Sequence, residues 1–449
     1  MKRNFILLGL LLAGTFLGQA QTKEQVTTLS LEAAVDLGLQ NNHALRIQRK
    51  QTEIAQNNVF VGNSGQLPTI SLVGNGNYSN NNSDLEIRTF QQDPAPPLVR
   101  FDESGVASTT LNAVVQADYI VFAGFSGRYR YQLSQTQLGM AKLKQEALIQ
   151  QTVVDITTLF GEIVKLQRQE ELLQETLEID RERLQKVQDR FDFGKATGLE
   201  ILRAKTDLNT DTNALEEVTL AREKLLSQLN VLIGKPAAAN YRLSMVFERQ
   251  APKSEAELMK TAQQKNPLLQ LARQGQLAAE QQLALSRSAS LPQLSAFANY
   301  GYFNQQNDVQ QLAEIENIGY GLGLSFRYQL FNGNQNRKAT QTARLGGESA
   351  LLKTQQAEAR IEAQVAQEWN TLQTLNRQLV RREQDLKTYE ETFARTRDRY
   401  FNGKLSSLDL REVQMALLQA KMEVDVTKVN IVQTTIRLNA LTGELQQVR

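Results

Sequence analysis

The chain has 449 residues, 50 lysines and arginines against 48 aspartates and glutamates, and a formal net charge of +2. That balance gives no bulk electrostatic reason to bind nucleic acid. Without cysteine there are no disulfides, thiolate nucleophiles or cysteine metal sites, and the single histidine, His43, cannot build a histidine-rich metal site.

The chain opens with a basic Met1-Lys2-Arg3, an apolar run from Phe5 to Leu17, and small residues at Gly18-Gln19-Ala20. This pattern predicts a secretory signal over residues 1–20, which is set aside from the fold. No later stretch approaches 18 consecutive apolar residues, so no transmembrane helix is expected.

The remainder reads as a tandem repeat, 21–235 and 253–449, joined by a linker over 236–252. Asn42 matches Asn266 and Leu67-Pro68 matches Leu291-Pro292, both 224 residues apart. Beyond those points the spacing falls to 209: Phe122 matches Phe331, Gly194-Lys195 matches Gly403-Lys404, and "LNVLIG" matches "LNALTG". The first half therefore holds an insert within 79–105, polar and carrying Pro94, Pro96 and Pro97, which is expected to be an exposed loop.

Each half predicts the same order of elements. A helix of modest length starts near Ser30 in one copy and near Ser254 in the other, the latter with Glu257 placed for a capping box. Leu-Pro ends it. Two alternating strands follow, at about 69–79 and 109–122 in the first half and about 293–303 and 317–331 in the second. Then come a very long helix, a Gly-Lys tip (about 191–200 and 400–409) and a return helix. Proline is absent from 98–235 and 293–449, and the seam Leu166, Leu173, Leu177, Leu184, Val187, Phe191 has coiled-coil steps. A helix running unbroken to Phe191 would be about 100 Å long.

The four strands share one property. In the last of them Ile318, Tyr320, Leu322, Leu324, Phe326, Tyr328 and Leu330 alternate with Gly319, Gly321, Gly323, Ser325, Arg327 and Gln329. Ile70, Leu72 and Tyr78 share one face of the first strand. Leu111, Ala113, Val115, Ala117, Tyr119 and Val121 form the corresponding face of the second, and Leu294, Ala296, Ala298, Tyr300 and Tyr302 that of the third. A soluble sandwich needs more than four strands. A membrane barrel places the apolar face in lipid, the polar face in a wet lumen and aromatics at the interfaces. Four strands cannot close a barrel, and an open edge in lipid leaves backbone groups unpaired. Closure is therefore expected from oligomerisation, with twelve strands in a trimer. The spacing G-x-G-x-G within a strand does not fit a dinucleotide loop.

The order of these segments resembles the TolC-type outer-membrane efflux proteins over almost the whole mature chain. The residues that carry it are "LSLEAAVDLGLQNN", the two Leu-Pro strand entries, "FAGFSGR" and "FNGNQNR", and the tip motifs "FGKATGLEILRAK" and "NGKLSSLDLREVQ". The resemblance implies a mainly α fold with membrane β: a homotrimeric, twelve-stranded barrel continued by a periplasmic α-helical barrel. It implies a passive exit duct in the outer membrane of a Gram-negative-type cell, not an enzyme, with no cofactor. The partners implied are outer-membrane lipid, a periplasmic adaptor and an inner-membrane pump.

Residue by residue, the resemblance puts two stacked carboxylate rings of a periplasmic gate at Asp409 and Glu412. It makes Glu200 an acceptor of a bond that holds the pore shut, with Tyr400 as one donor. A second donor, an arginine in the family, is replaced here by Leu405. The docking tips would comprise Gly194, Lys195, Leu199, Gly403, Lys404 and Leu408, and Tyr320, Leu322, Leu324, Phe326 and Tyr328 would face lipid. Trp369 and His43 read as structural. At the tips, the alternative reading makes Asp409, Glu412 and Glu200 solvated charges favoured at helix starts. For the whole protein the alternatives are an exit duct for secreted proteins or a periplasmic coiled-coil scaffold without a pore; alternating lipid-facing strands argue against the scaffold.

Overall fold

The computed structural model describes residues 28–88, 98–248, 253–308 and 313–445. The signal segment, the three prolines of the insert and the end of the linker lie outside them. The first half comprises β1 (Thr28–Ser30), α1 (Leu31–Asn41), α2 (His43–Asn58), β2 (Thr69–Arg88), β3 (Leu98–Ala123), α3 (Ser126–Asp192) and α4 (Gly198–Leu232). After β4 (Arg242–Ser244) the second half comprises α5 (Glu255–Lys265), α6 (Pro267–Ser288), β5 (Gln293–Asn307), β6 (Glu314–Arg327), α7 (Gln335–Phe401) and α8 (Ser407–Thr442). The helices α3 and α7 have 67 residues each, about 100 Å of rod.

The single opening helix expected in each half is two helices, broken at the matched asparagines. Asn42 Oδ1 accepts from the Leu45 amide (3.2 Å), and Asn266 Oδ1 accepts from those of Leu268 and Leu269 (2.9 and 3.0 Å), so each caps the second helix. The other end of each side chain reaches the last turn of the return helix. Asn42 Nδ2 donates to the Leu232 carbonyl and Asn266 Nδ2 to that of Leu441, both at 2.9 Å. Pro267, and His43 in the other copy, occupy the first helical position, where a proline costs nothing. Asn266→Ala should therefore remove a cap and leave a carbonyl unpaired, costing about 2 kcal/mol. A urea midpoint unchanged from wild type would contradict this.

Two core clusters repeat each other. One gathers Ala34, Ile156, Phe160, Ile163 and Leu229; the other holds Val365, Leu372 and Leu438 with Trp369 packed on it. Trp369 stands where the first half has Phe160, and its indole N–H donates to the Lys253 carbonyl (3.1 Å). The copies have exchanged a methyl: a Cβ on Gly38 would lie 2.3 Å from Ile156 Cδ1, whereas the matching pair is Ala262 and the shorter Val365. Among the described helices only α3 holds a stretch apolar enough to cross a membrane, and 44% of that stretch is buried, as in a core.

The strands β2, β3, β5 and β6 form one antiparallel sheet in that order, while β1 and β4 form a small parallel pair. The insert expected to be a loop is largely strand. Pairing of β2 with β3 continues to Arg88 and Leu98, past an irregularity between Asn81 and Ser83, and Asp84 and Arg100 form an ion pair across it. Polar composition alone hides such a hairpin, because cross-strand hydrogen bonds need no apolar side chain. Pairing of β3 with β5 stops at Ser108 and Asn307, so the β2–β3 hairpin stands out beyond its neighbour. Two smaller corrections concern the faces. A bulge between Ile120 and Phe122 drops Val121 from the alternation and sets Phe122 opposite Leu294. The strand β6 ends at Arg327, so Tyr328 and Leu330 lie just past it.

Candidate functional site

The register turns the four alternating patterns into one continuous face. Its rows are Ile70–Ala117–Ala298–Leu322, Leu72–Val115–Tyr300–Tyr320 and Gly74–Ala113–Tyr302–Ile318. Farther along, the same face turns polar, with Asn304 donating to Glu314 (2.7 Å). The large apolar side chains are bare in the single chain: Leu72 75%, Tyr320 79%, Leu322 75% and Phe326 68% exposed. Leu324 and Tyr328 are exposed with them. The opposite face carries rows such as Ser71–Gln116–Asn299–Gly321 and Asn75–Asn112–Phe303–Asn317. Phe297 lies over Gly323, where a Cβ would meet its ring at 2.4 Å, so that glycine is a packing requirement.

At the other end of the rods the two tips are built alike. The first turns through Gly194 (φ +69), with the Lys195 amide donating to the Arg190 carbonyl (2.7 Å); the second turns through Gly403 (φ +76), with Lys404 donating to Arg399 (2.9 Å). A capping box opens each return helix. Thr197 and Glu200 form one; Ser406 and Asp409 form the other, with the Ser406 amide donating to Asp409 Oδ2 at 2.9 Å. These bonds from Ser406 hold the Asp409 carboxyl below its ordinary range. Glu200 and Asp409 are thus the same position in the two halves. Glu412, one turn on, is exposed, as are Lys195, Lys404, Leu199 and Leu408.

Tyr400 stands in the last turn of α7. It is fully buried, edge-on to Phe401 with ring centroids 5.4 Å apart, and its hydroxyl makes no hydrogen bond of normal geometry. Burial pushes its pKa up. Within one protomer the bonds of Glu200 go to Thr197, not to Tyr400. Leu405 is half-buried. Phe193, beside the first tip glycine, was not singled out from the sequence, yet it is 79% exposed.

A third feature carried no sequence signal. Where α3, α4 and α8 meet, five charged side chains pack together. Arg411 donates to both oxygens of Asp211 (2.6 and 2.9 Å) and lies 3.5 Å from Asp180. Arg183 reaches Asp207 (2.8 Å) and Asp180 (3.3 Å), and Gln414 donates to Asp180 (3.2 Å). Asp180 and Arg183 are buried. Burial pushes the Asp180 carboxyl up to about 6, helped by its neighbour Asp211 and opposed by Arg183 and Arg411. Burial works against the Asp211 carboxylate too, but Arg411 and Asp180 hold it below its ordinary range. Among the described residues no group of acidic or histidine side chains is arranged to hold a metal ion.

Comparison with known proteins agrees with this geometry. The family described as "Outer membrane efflux protein" matches residues 34–235 and 258–444. The chain is 24% identical over 347 residues to the pyoverdine export outer membrane protein OpmQ of Pseudomonas aeruginosa, covering 76% of this chain and 71% of that one. The crystal structure of the Campylobacter jejuni CmeC outer membrane channel superposes with a TM-score of 0.77 at 17% identity, covering 92% of this chain and 85% of that one. VceC of Vibrio cholerae gives 0.74 at 16% identity, covering 92% and 96%.

Proposed function

Because the chain belongs to the outer membrane efflux protein family, and so resides in the outer membrane, we propose that it is the passive exit duct of a tripartite efflux assembly. The family is one of efflux channels rather than enzymes. In this reading three copies close a twelve-stranded barrel, and the helical rods continue the duct into the periplasm toward an adaptor and an inner-membrane pump. The observation that carries it is the sheet itself: apolar on one face, polar on the other and, among the described residues, unpaired along the outer edges of both β2 and β6. An edge left open in lipid costs several kcal/mol for each unsatisfied group, so a neighbour's strand must cover it. The helices support the same closure. The outermost, α2 and α7, each expose an i, i+7 pair of apolar side chains, Ile47 with Ile54 and Leu345 with Leu352.

The cargo belongs to the pump. OpmQ is named for pyoverdine export, and a duct shared at this level of identity does not carry that specificity with it.

At the tips, three copies would stack rings of Asp409 and Glu412. Fixed negative charge in a constriction concentrates cations, multivalent ones most. In planar bilayers the protein should conduct weakly, prefer cations and be blocked by di- or trivalent cations from the tip side. Asp409→Ala with Glu412→Ala should weaken selectivity and block together. A protein that inserts without conducting would overturn the duct. Conduction with an unchanged reversal potential and unchanged block in the double variant would instead leave Asp409 as the helix cap and end only the gate.

A further inference from the structure

The junction of α3, α4 and α8 holds three carboxylates and two guanidiniums, so one negative charge is left over in a buried place. Every element contributes. Asp180 and Arg183 come from α3, Asp207 and Asp211 from α4, and Arg411 from α8, with the uncharged donor Gln414 beside it. Asp180 has no exposed surface. Two carboxylates that share one arginine in a water-poor site repel each other unless a proton lies between them. Within the family reading of the tips this cluster has no assigned part. Nor is it a product of the duplication: the positions matching Asp180, Asp211 and Arg411 in the other half are Tyr389, Ala420 and Leu202.

We propose that Asp180 is a proton-binding site that fills on mild acidification and ties α3 to α4 where α8 covers them. With the proton bound, Asp180 donates to Asp211 and the cluster is neutral, with Arg411 left to pair with the Asp211 carboxylate. Without it, Asp180 and Asp211 are like charges on either side of one guanidinium. The junction is then tightest in mild acid and loosens as pH rises. This is the reverse of an ordinary exposed salt bridge, which acid breaks by protonating the carboxylate.

The sign follows from which state holds the proton more tightly. Asp180 binds it more tightly in the folded chain, near 6 against an ordinary 3.8. The stabilisation is therefore fully present below about 4 and is lost as pH rises through about 6. Asp180→Asn copies the shape of the neutral acid and cannot titrate. Relative to this variant, the folded:unfolded ratio of the wild type should fall by up to about a hundredfold across that window. Parallel profiles for the two proteins would overturn the proposal.

A second measurement does not depend on the variant folding. In wild-type protein carrying isotope-labelled aspartate, infrared spectra should contain the carbonyl stretch of a buried, neutral carboxylic acid that disappears as pH rises through about 6. A spectrum with no such band in mild acid would equally overturn it. Neither measurement needs a pore. A flat pH response would leave the duct standing, and a protein that does not conduct would leave the proton site standing.

Discussion

In the proposed trimer, Leu322→Arg is expected to cut the recovered assembly to a small fraction of wild type, while Ser325→Arg leaves it nearly unchanged. The two positions are three apart on β6 and on opposite faces. Leu322 closes the apolar row that begins at Ile70, pairing with Ala298; Ser325 pairs with Ser295 on the polar face. An arginine on the lipid side near mid-membrane costs about 2–4 kcal/mol, and three copies each bear it in a trimer. On the lumen side the same guanidinium stays hydrated. Trimer yield after mild detergent extraction, read on a gel with and without heating, compares them directly. Equal yields would reverse or abolish the assignment of faces.

Arg411→Ala should be the most damaging single change in the helical part. It leaves Asp211 without its bidentate partner and deprives Asp180 of one of two neighbouring positive charges, in a site where Arg411 is itself only 14% exposed. Breaking a buried ion pair from one side costs about 3–5 kcal/mol, because the remaining carboxylate keeps its desolvation penalty and loses its compensation. Arg411→Lys should fall between the two, since it restores charge without the planar fork that meets both oxygens of Asp211. Denaturant midpoints followed by helical circular dichroism would rank the three proteins. An alanine variant as stable as wild type would mean that water already reaches the cluster.

The parts of this molecule that were legible in its sequence are those fixed by short-range period. Alternation gave the four strands and their faces, and proline avoidance gave the rods. The two glycine-lysine turns gave the tips. Boundaries were less legible where composition and pairing disagree, as in the polar arms around Asp84 and Arg100, which read as loop and pair as strand. The bulge at Val121 depends on the partner strand, which no local pattern encodes. The Asn42 and Asn266 breaks were visible only as a repeat match; their reason is a hydrogen bond to a carbonyl 190 residues away in one copy and 175 in the other. The buried charges were out of reach for the same reason. Asp180 and Arg411 are 231 residues apart, and the duplication that exposed so much else does not repeat them.

A duplicated chain keeps its two copies alike only where something packs against both. In the two matching core clusters the copies remain in step, to the point that the loss of one methyl at Gly38 is matched by the larger Ile156. At the outer ends of the hairpins the first copy is longer than the second, its described pairing running on to Arg88 and Leu98. Three such chains arranged in a ring would have a graded symmetry. The tips would approach sixfold order, six similar turns from two similar halves. The opposite rim would be strictly threefold, long hairpins alternating with short ones. Divergence within one gene would thus be written along the axis of the assembly, in single side chains beside the tips and in whole strand lengths at the rim.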